Sequence, residues 1–367
     1  WRHFGHFAAA IEKAMAKRGI TAPVYVLKAD GGTMPLSLAG QMPVEAVFTG
    51  PAASVLGIMA LSAPAGEAVS LDIGGTTTDI ALWRDGAPLF AGRGAKIGGY
   101  PTAVRSFWLN SVGIGGDSYV RRENGKLTVG PMRRGAAMAA GGPAPTVADA
   151  MIVAGVADFG DKEKALAAMR QAAAAGETPE AVAGEVLAMA AGKICQAIGA
   201  MIEERAAEPV YRVDDIVRGD RPQPGRVIGV GGAAAALAPL VAAGLGVPCS
   251  VPADAMVANA IGAAVARPTL EVTLRADTAQ GYYTVAELGL RENIAAKKMS
   301  LAEAANVAGR HLSQRAAQAG IPVTEVETVT AEEFNLIRGF NTTGKIITCR
   351  LQIKPGVYTD TGEEGER

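Results

Sequence analysis

The decapeptide Leu71-Asp72-Ile73-Gly74-Gly75-Thr76-Thr77-Thr78-Asp79-Ile80 narrows what this chain can be more than any other stretch. An apolar run from Ala68 to Ile73 reads as a buried strand, and it stops at two glycines and three threonines flanked by carboxylates. Ile80 to Trp83 resumes as a second strand, and Asp85-Gly86 marks a further hairpin turn. Adjacent glycines let a backbone come close to a ligand. Their N–H groups, with threonine hydroxyls, suit a small anion site. Two aspartates beside such a site repel a phosphate unless a divalent cation lies between them. The local reading is therefore a turn in which Gly74, Gly75, Thr76 and Thr77 hold nucleotide phosphate. Asp72 then binds Mg²⁺ through water or orients an attacking water, with Asp79 as the second carboxylate. The competing reading is a plain glycine hairpin whose two aspartates cap the turn.

The rest of the chain alternates helix and strand, the pattern of an α/β fold. Phe4 to Arg18 carries apolar residues at helical spacing and Gly19 stops it. Val24 to Leu27 is a short strand leading into Asp30-Gly31-Gly32, a loop placed for ligand contact or for a simple turn. Thr49 and Pro51 open a helix over about Ala52 to Leu61, and Asn124-Gly125 joins two strands before a mobile-looking Arg133 to Pro145. Helices follow over Asp161 to Ala175 and Pro179 to Ala206, then the strand Val227 to Val230 and the helix Ala233 to Ala243. The strand Cys249 to Val251 and the helix Ala253 to Val265 complete this part. Pro268 divides the chain into residues 1–268, the nucleotide-binding part, and 269–367, a small α+β appendage. That appendage holds strands Leu270 to Arg275, Val323 to Val329 and Lys345 to Ile353, the helix Ser300 to Ala319 and a loose acidic tail after Tyr358.

Two other glycine motifs compete for a nucleotide. Gly229, Gly231 and Ala234 fit a dinucleotide fingerprint between a strand and a helix, with Asp254 where a ribose-binding acid belongs. Gly339 to Lys345 has the spacing of a phosphate loop, yet Ile346 replaces the metal-holding hydroxyl and a β-branched run follows where a helix should start. That match is rejected. The first stays open by itself, since strand–helix packing against an adenosine needs the same glycines. A hydride-transfer enzyme has no evident use for the Asp72 turn, which favours the adenosine reading.

The formal charge of −1 gives no electrostatic reason to expect nucleic acid or an acidic membrane as partner. No uninterrupted apolar stretch reaches membrane-spanning length and no signal peptide is evident, and three dispersed cysteines point to a reducing cytoplasm. Glycine is enriched, 46 of 367 residues against a usual share of roughly 7%. Opening on Trp1 without methionine, the chain is expected to begin partway through a longer protein. His3, His6 and His311 have no ligand-spaced partners and read as structural. Arg133 and Arg134 are either a phosphate clamp or a solvated pair, and Asp117-Ser118 either a ligand contact or a polar loop.

From about Tyr25 to Arg267 the sequence resembles the hydantoinase/oxoprolinase proteins (hydantoin utilization protein A-like) of the actin-like ATPase superfamily. The resemblance is carried by Asp30-Gly31-Gly32, by Thr49-Gly50-Pro51-Ala52 with Ser54 and Gly57, and by Asp72 to Asp79. It continues through Gly115-Gly116-Asp117-Ser118, Val129-Gly130-Pro131, Thr146-Val147-Ala148-Asp149-Ala150 and Gly231-Gly232, all in the family's order. It implies an actin-like, ribonuclease H-like α/β lobe, with the Asp72 turn as second phosphate loop and Gly231-Gly232 as adenosine turn. It also implies ATP and Mg²⁺, substrate contacts at Asp30, Gly31, Gly32, Asp117 and Ser118, and ATP-dependent opening of a hydantoin or 5-oxoproline ring. A hydantoinase B-like partner subunit is expected, and a homo-oligomer is admitted. Two alternatives stand beside this: a non-catalytic reactivating module, and a subunit of an ATP-dependent ketone carboxylase. The superfamily's first phosphate loop, on an N-terminal lobe, has no counterpart here, so these residues alone are expected to bind Mg-ATP weakly. After Pro131 the family's glycine-proline stretch is replaced by Met132 to Met138, which bears on the ring pocket.

Overall fold

The computed structural model describes residues 2–358 except 41, 63, 209–220 and 295–297, with side chains from residue 4 onward; the expected acidic tail lies outside the described residues. Two compact units interleave along the chain. One comprises Trp1–Leu27, Gly32–Pro43 and Ala266–Gly356; the other comprises Lys28–Gly31, Val44–Val265 and a C-terminal piece from Val357.

The larger unit is built on a six-stranded sheet. Its order runs Cys249–Ser250, Val227–Val230, Ala68–Ile73, Thr78–Arg84, Ala87–Pro88, with Leu109–Val112 also pairing to the Thr78 strand. The first three strands are parallel, and the Asp72 and Asp79 strands form an antiparallel hairpin. Alternation along that hairpin sorts its residues. Val69, Leu71, Ile73, Ile80 and Leu82 enter the main core with Met151, Ile194, Ile198, Leu237 and Val241. Ser70, Asp72, Asp79, Ala81 and Trp83 take the opposite face, where the Trp83 indole donates to Ser70 Oγ at 2.8 Å.

The helix Pro179–Ala206 is, by length and composition alone, long and apolar enough to cross a membrane. This modifies the expectation that no segment reaches that length. Val182, Val186, Ala190, Ile194 and Ile198 of the helix are buried in the main core, so its apolar character serves packing here. Residues 133–145, expected to be mobile, are braced instead. The buried Asp149 carboxylate accepts from the N–H groups of Met138 at 3.1 Å and Ala139 at 2.8 Å while forming a capping box with Thr146. The helix expected over about Ala52 to Leu61 begins earlier, with Thr49 as its first residue.

The smaller unit packs the helix Leu301–Gln318 on a five-stranded antiparallel sheet. Ala304, Ala308, Leu312 and Ala316, four residues apart, meet Val272, Leu274, Ile347 and Cys349. The rejected phosphate-loop match is the tip of a β-hairpin: Arg338 pairs with Asn341, and Gly339 takes φ +63°.

Candidate functional site

Asp72 and Asp79 are directly opposed cross-strand partners, so both carboxylates stand on one face of the sheet, one residue pair from the turn that closes the hairpin. Burial pushes the Asp72 carboxyl above its usual range, partly countered by a hydrogen bond from Ser54. Burial also raises Asp79; a bond from Ser111, its partner on the next strand, opposes this, and the nearby Asp72 charge adds to it. Such a pair favours a shared proton or a cation between its members.

Between these carboxylates and the helix Thr49–Ser62 lies a crevice of about 10 Å³, lined by Pro51, Ser54, Ser70 and Leu109 among others. That is room for about one water. Ser54 donates to Asp72 Oδ2 at 2.5 Å and accepts from Asn259 Nδ2 at 3.3 Å, while Asn259 also donates to Gly50 O at 2.9 Å. This relay requires two helices to cross closely. A Cβ on Gly57 would lie 2.0 Å from Ala258 O, and one on Gly262 would lie 1.9 Å from Ala53 O. Ser54 was part of the sequence motif without a role. Asn259 was missed, and its only signal was a lone amide in the apolar segment Ala258–Val265.

The turn itself is ordered by its neighbours. Gly74 N–H closes it onto Thr77 O at 3.0 Å, so this amide, expected to meet phosphate, is already used. Gly75 and Thr76 remain exposed at the tip, and the Thr76 and Thr77 hydroxyls have no hydrogen-bond partner among the described residues. The carbonyls of Gly74 and Gly75 accept from Gly116 N–H at 3.0 Å and Asp117 N–H at 2.6 Å, and Thr78 Oγ1 donates to Ile114 O at 2.7 Å. Ser118 is buried and accepts from Gly115 N–H at 2.9 Å, the position of a loop brace. Asp117 lies beside the turn and holds Arg133.

Gly231 comes to the same place from the parallel strand. Val230 is in register with Asp72, and a Cβ on Gly231 would meet Asp72 Oδ1 at 2.5 Å. Its φ of +93° and this contact both require glycine. Gly232 faces open space. Asp30 belongs to a different environment, buried in an ion pair with Lys28 at 3.4 Å. Gly31 packs on Phe107, and Gly32, in the smaller unit, packs on Thr269. A separate cavity of about 550 Å³ is lined by Phe48, Arg93, Lys96, Trp108 and Glu204 and shares Leu109 with the crevice. Among the described residues no cluster of three or more His, Cys, Asp or Glu side chains converges as a metal site. His311 contacts the Tyr283 hydroxyl at 3.4 Å in the smaller unit.

The sequence profile of the Hydantoinase/oxoprolinase family matches residues 2–272. The chain belongs to that family. Caprolactamase subunit alpha of Pseudomonas jessenii is 27% identical over 239 residues, covering 63% of this chain and 34% of the relative. Among solved structures, a nucleotide-free acetone carboxylase, described as catalysing ATP-dependent acetone carboxylation, superposes with a TM-score of 0.67 at 17% identity. That match covers 98% of this chain and 56% of the other. The ATP-dependent caprolactamase of Pseudomonas jessenii gives 0.58 at 18% identity, covering 95% and 56%. The mixed α/β fold of these enzymes is therefore the fold of this chain, which spans about a third of its curated relative's length.

Proposed function

We propose that this chain forms one side of the nucleotide site in an ATP-dependent enzyme that opens a small cyclic amide of the hydantoin or 5-oxoproline type. The observation that carries the reading is the opposed Asp72–Asp79 pair beside an exposed glycine–threonine turn, with Gly231 pressed against Asp72. Gly75 N–H and the Thr76 and Thr77 hydroxyls meet phosphate, while Gly74 shapes the turn. Gly231 and Gly232 make the adenosine turn. Asp117 lies beside the phosphate turn and Ser118 braces its loop, while Asp30 is held in a buried pair with Lys28. The cavity sharing Leu109 has the size of a small-ligand pocket.

The oxygen-only donors at Asp72 and Asp79 fit Mg²⁺, which keeps waters and phosphate oxygens in its shell and needs few protein ligands. When bound, it neutralises charge on the phosphates. Asp72 would hold it through water or orient the attacking water, with Asp79 as the second carboxylate. The amide oxygen attacks the terminal phosphorus, and the electron pair of the broken P–O bond leaves on ADP. Water then adds to the activated carbon and the ring nitrogen leaves with a proton. A second water releases phosphate from the acyl phosphate, so the lactam, ATP and two waters give an amino acid, ADP and phosphate. The enzyme works in a reducing cytoplasm with a hydantoinase B-like partner; the name of the curated relative, a subunit alpha, supports the partner.

The test is ATP turnover by the full-length protein with and without lactams. Asp72→Asn is expected to lower lactam-stimulated turnover by at least about 100-fold while the protein stays folded. An unchanged rate in the folded variant rejects the assignment. Bicarbonate-dependent consumption of a ketone, with no ring opening, assigns carboxylase chemistry instead.

A further inference from the structure

We propose that Arg133 is a catalytic residue that contacts the phosphoryl group during transfer, and that Asp117 positions it; this rests on the ATP reading above. The strand Lys126–Arg133 ends at Arg133, whose register partner is Ser118, so its side chain emerges beside Asp117. Asp117 is fastened to the turn through its own N–H, which donates to Gly75 O at 2.6 Å. Its Oδ2 lies 2.9 Å from where a Gly75 Cβ would stand. The same oxygen receives Arg133 Nε at 3.0 Å and Nη2 at 2.8 Å. One carboxylate thus ties the guanidinium to the tip of the exposed turn.

Folding alone gives a weak account of this pair. The Arg133 side chain is 49% exposed, and ion pairs so open to water add little stability. Two donors face Asp117, and Nη1 has no partner among the described residues. The adjacent Arg134 turns elsewhere, its guanidinium stacked 4.5 Å from the centre of the Tyr119 ring. The two arginines, equivalent in sequence, therefore have different surroundings, and only Arg133 is joined to the turn.

As the new bond from acceptor oxygen to phosphorus forms, the bond to the ADP oxygen breaks and that oxygen keeps the electron pair. Negative charge spreads over the three remaining oxygens of the phosphoryl group. A planar guanidinium binds two of them at once, which a lysine ammonium does not reproduce. Asp117 supplies the orientation that a half-exposed arginine lacks on its own.

The full-length enzyme carries the test. Arg133→Ala is expected to lower ATP turnover by about 10³-fold while ADP affinity changes by no more than about threefold. Affinity for ADP with aluminium fluoride, a mimic of the phosphoryl group in flight, is expected to fall by at least about 100-fold. Arg133→Lys does not restore either property, Asp117→Asn gives a smaller loss of both, and Arg134→Ala matches wild type. A wild-type enzyme that binds no ADP overturns the nucleotide reading and this assignment with it. A wild type that binds and turns over, with Arg133→Ala equal to it, overturns the role of Arg133 alone. Equal losses in Arg133→Ala and Arg134→Ala indicate a general charge effect and overturn it too. If Arg133→Ala does not fold, Arg133→Lys gives the same readouts.

Discussion

Replacing Gly262 with alanine tests whether the helix crossing behind Asp72 is as close as it must be for Ser54 to reach the carboxylate. The added Cβ would lie 1.9 Å from Ala53 O and 2.4 Å from Gly57 N, both backbone atoms that cannot rotate away. Reaching ordinary contact distance takes about 1.5 Å of local separation. Overpacking of this kind costs about 1–3 kcal/mol. The same separation breaks the hydrogen bonds from Asn259 to Ser54 and Gly50, each worth about 1 kcal/mol. Against this, alanine is favoured over glycine inside a helix by about 1 kcal/mol. The net expectation is a loss of about 2–4 kcal/mol, read by urea unfolding, with a fall in Tm of roughly 5–15 °C. Gly192→Ala is the control. It sits in the helix Pro179–Ala206, and a Cβ there meets nothing within 4 Å, so propensity alone acts and stability rises by up to about 1 kcal/mol. If Gly262→Ala is as stable as wild type, the close crossing is wrong and the support of Asp72 by Ser54 loses its basis.

Two further outcomes follow from other parts of the chain. Asp149→Ala removes the acceptor for Met138 N–H, Ala139 N–H and both Thr146 donors, so unfolding free energy should drop by at least about 3 kcal/mol; a loss below about 1 kcal/mol in denaturant titration contradicts that bracing. The Tyr283 hydroxyl is pushed up to about 12 by burial and by the Glu292 carboxylate that accepts its proton. The folded state thus holds this proton more tightly than the unfolded chain does. Its contribution to stability is complete below about pH 10 and is lost as pH rises toward 12. Ultraviolet titration should show one late-ionising tyrosine that Tyr283→Phe removes; the same curve in wild type and variant rules out the shift.

The Asp72 turn, its two flanking strands and the long helix Pro179–Ala206 were legible from local pattern. Each rests on short-range rules: an apolar run for the first strand, a glycine pair for the turn and a long helical segment from Pro179. The rejected Gly339 motif was also legible, because β-branched residues after it favour a strand over a helix. Other features needed partners far away in the chain. Register alone set Asp72 against Asp79 and brought Gly231, 159 positions beyond Asp72, onto its carboxylate. The sequence left Asp117-Ser118 open between ligand contact and polar loop, and Arg133-Arg134 open between phosphate clamp and solvated pair, and packing gave the members of each pair different surroundings. Ser118 braces a loop, Asp117 links the turn to Arg133, and Arg134 stacks on Tyr119. Asp30 looked like its glycine-flanked counterpart Asp72, yet Lys28 neutralises it in a buried pair. Local sequence determines backbone shape because turn and strand preferences act over a few residues. Which carboxylates face each other, which are paired and which stay open is decided only when distant segments pack.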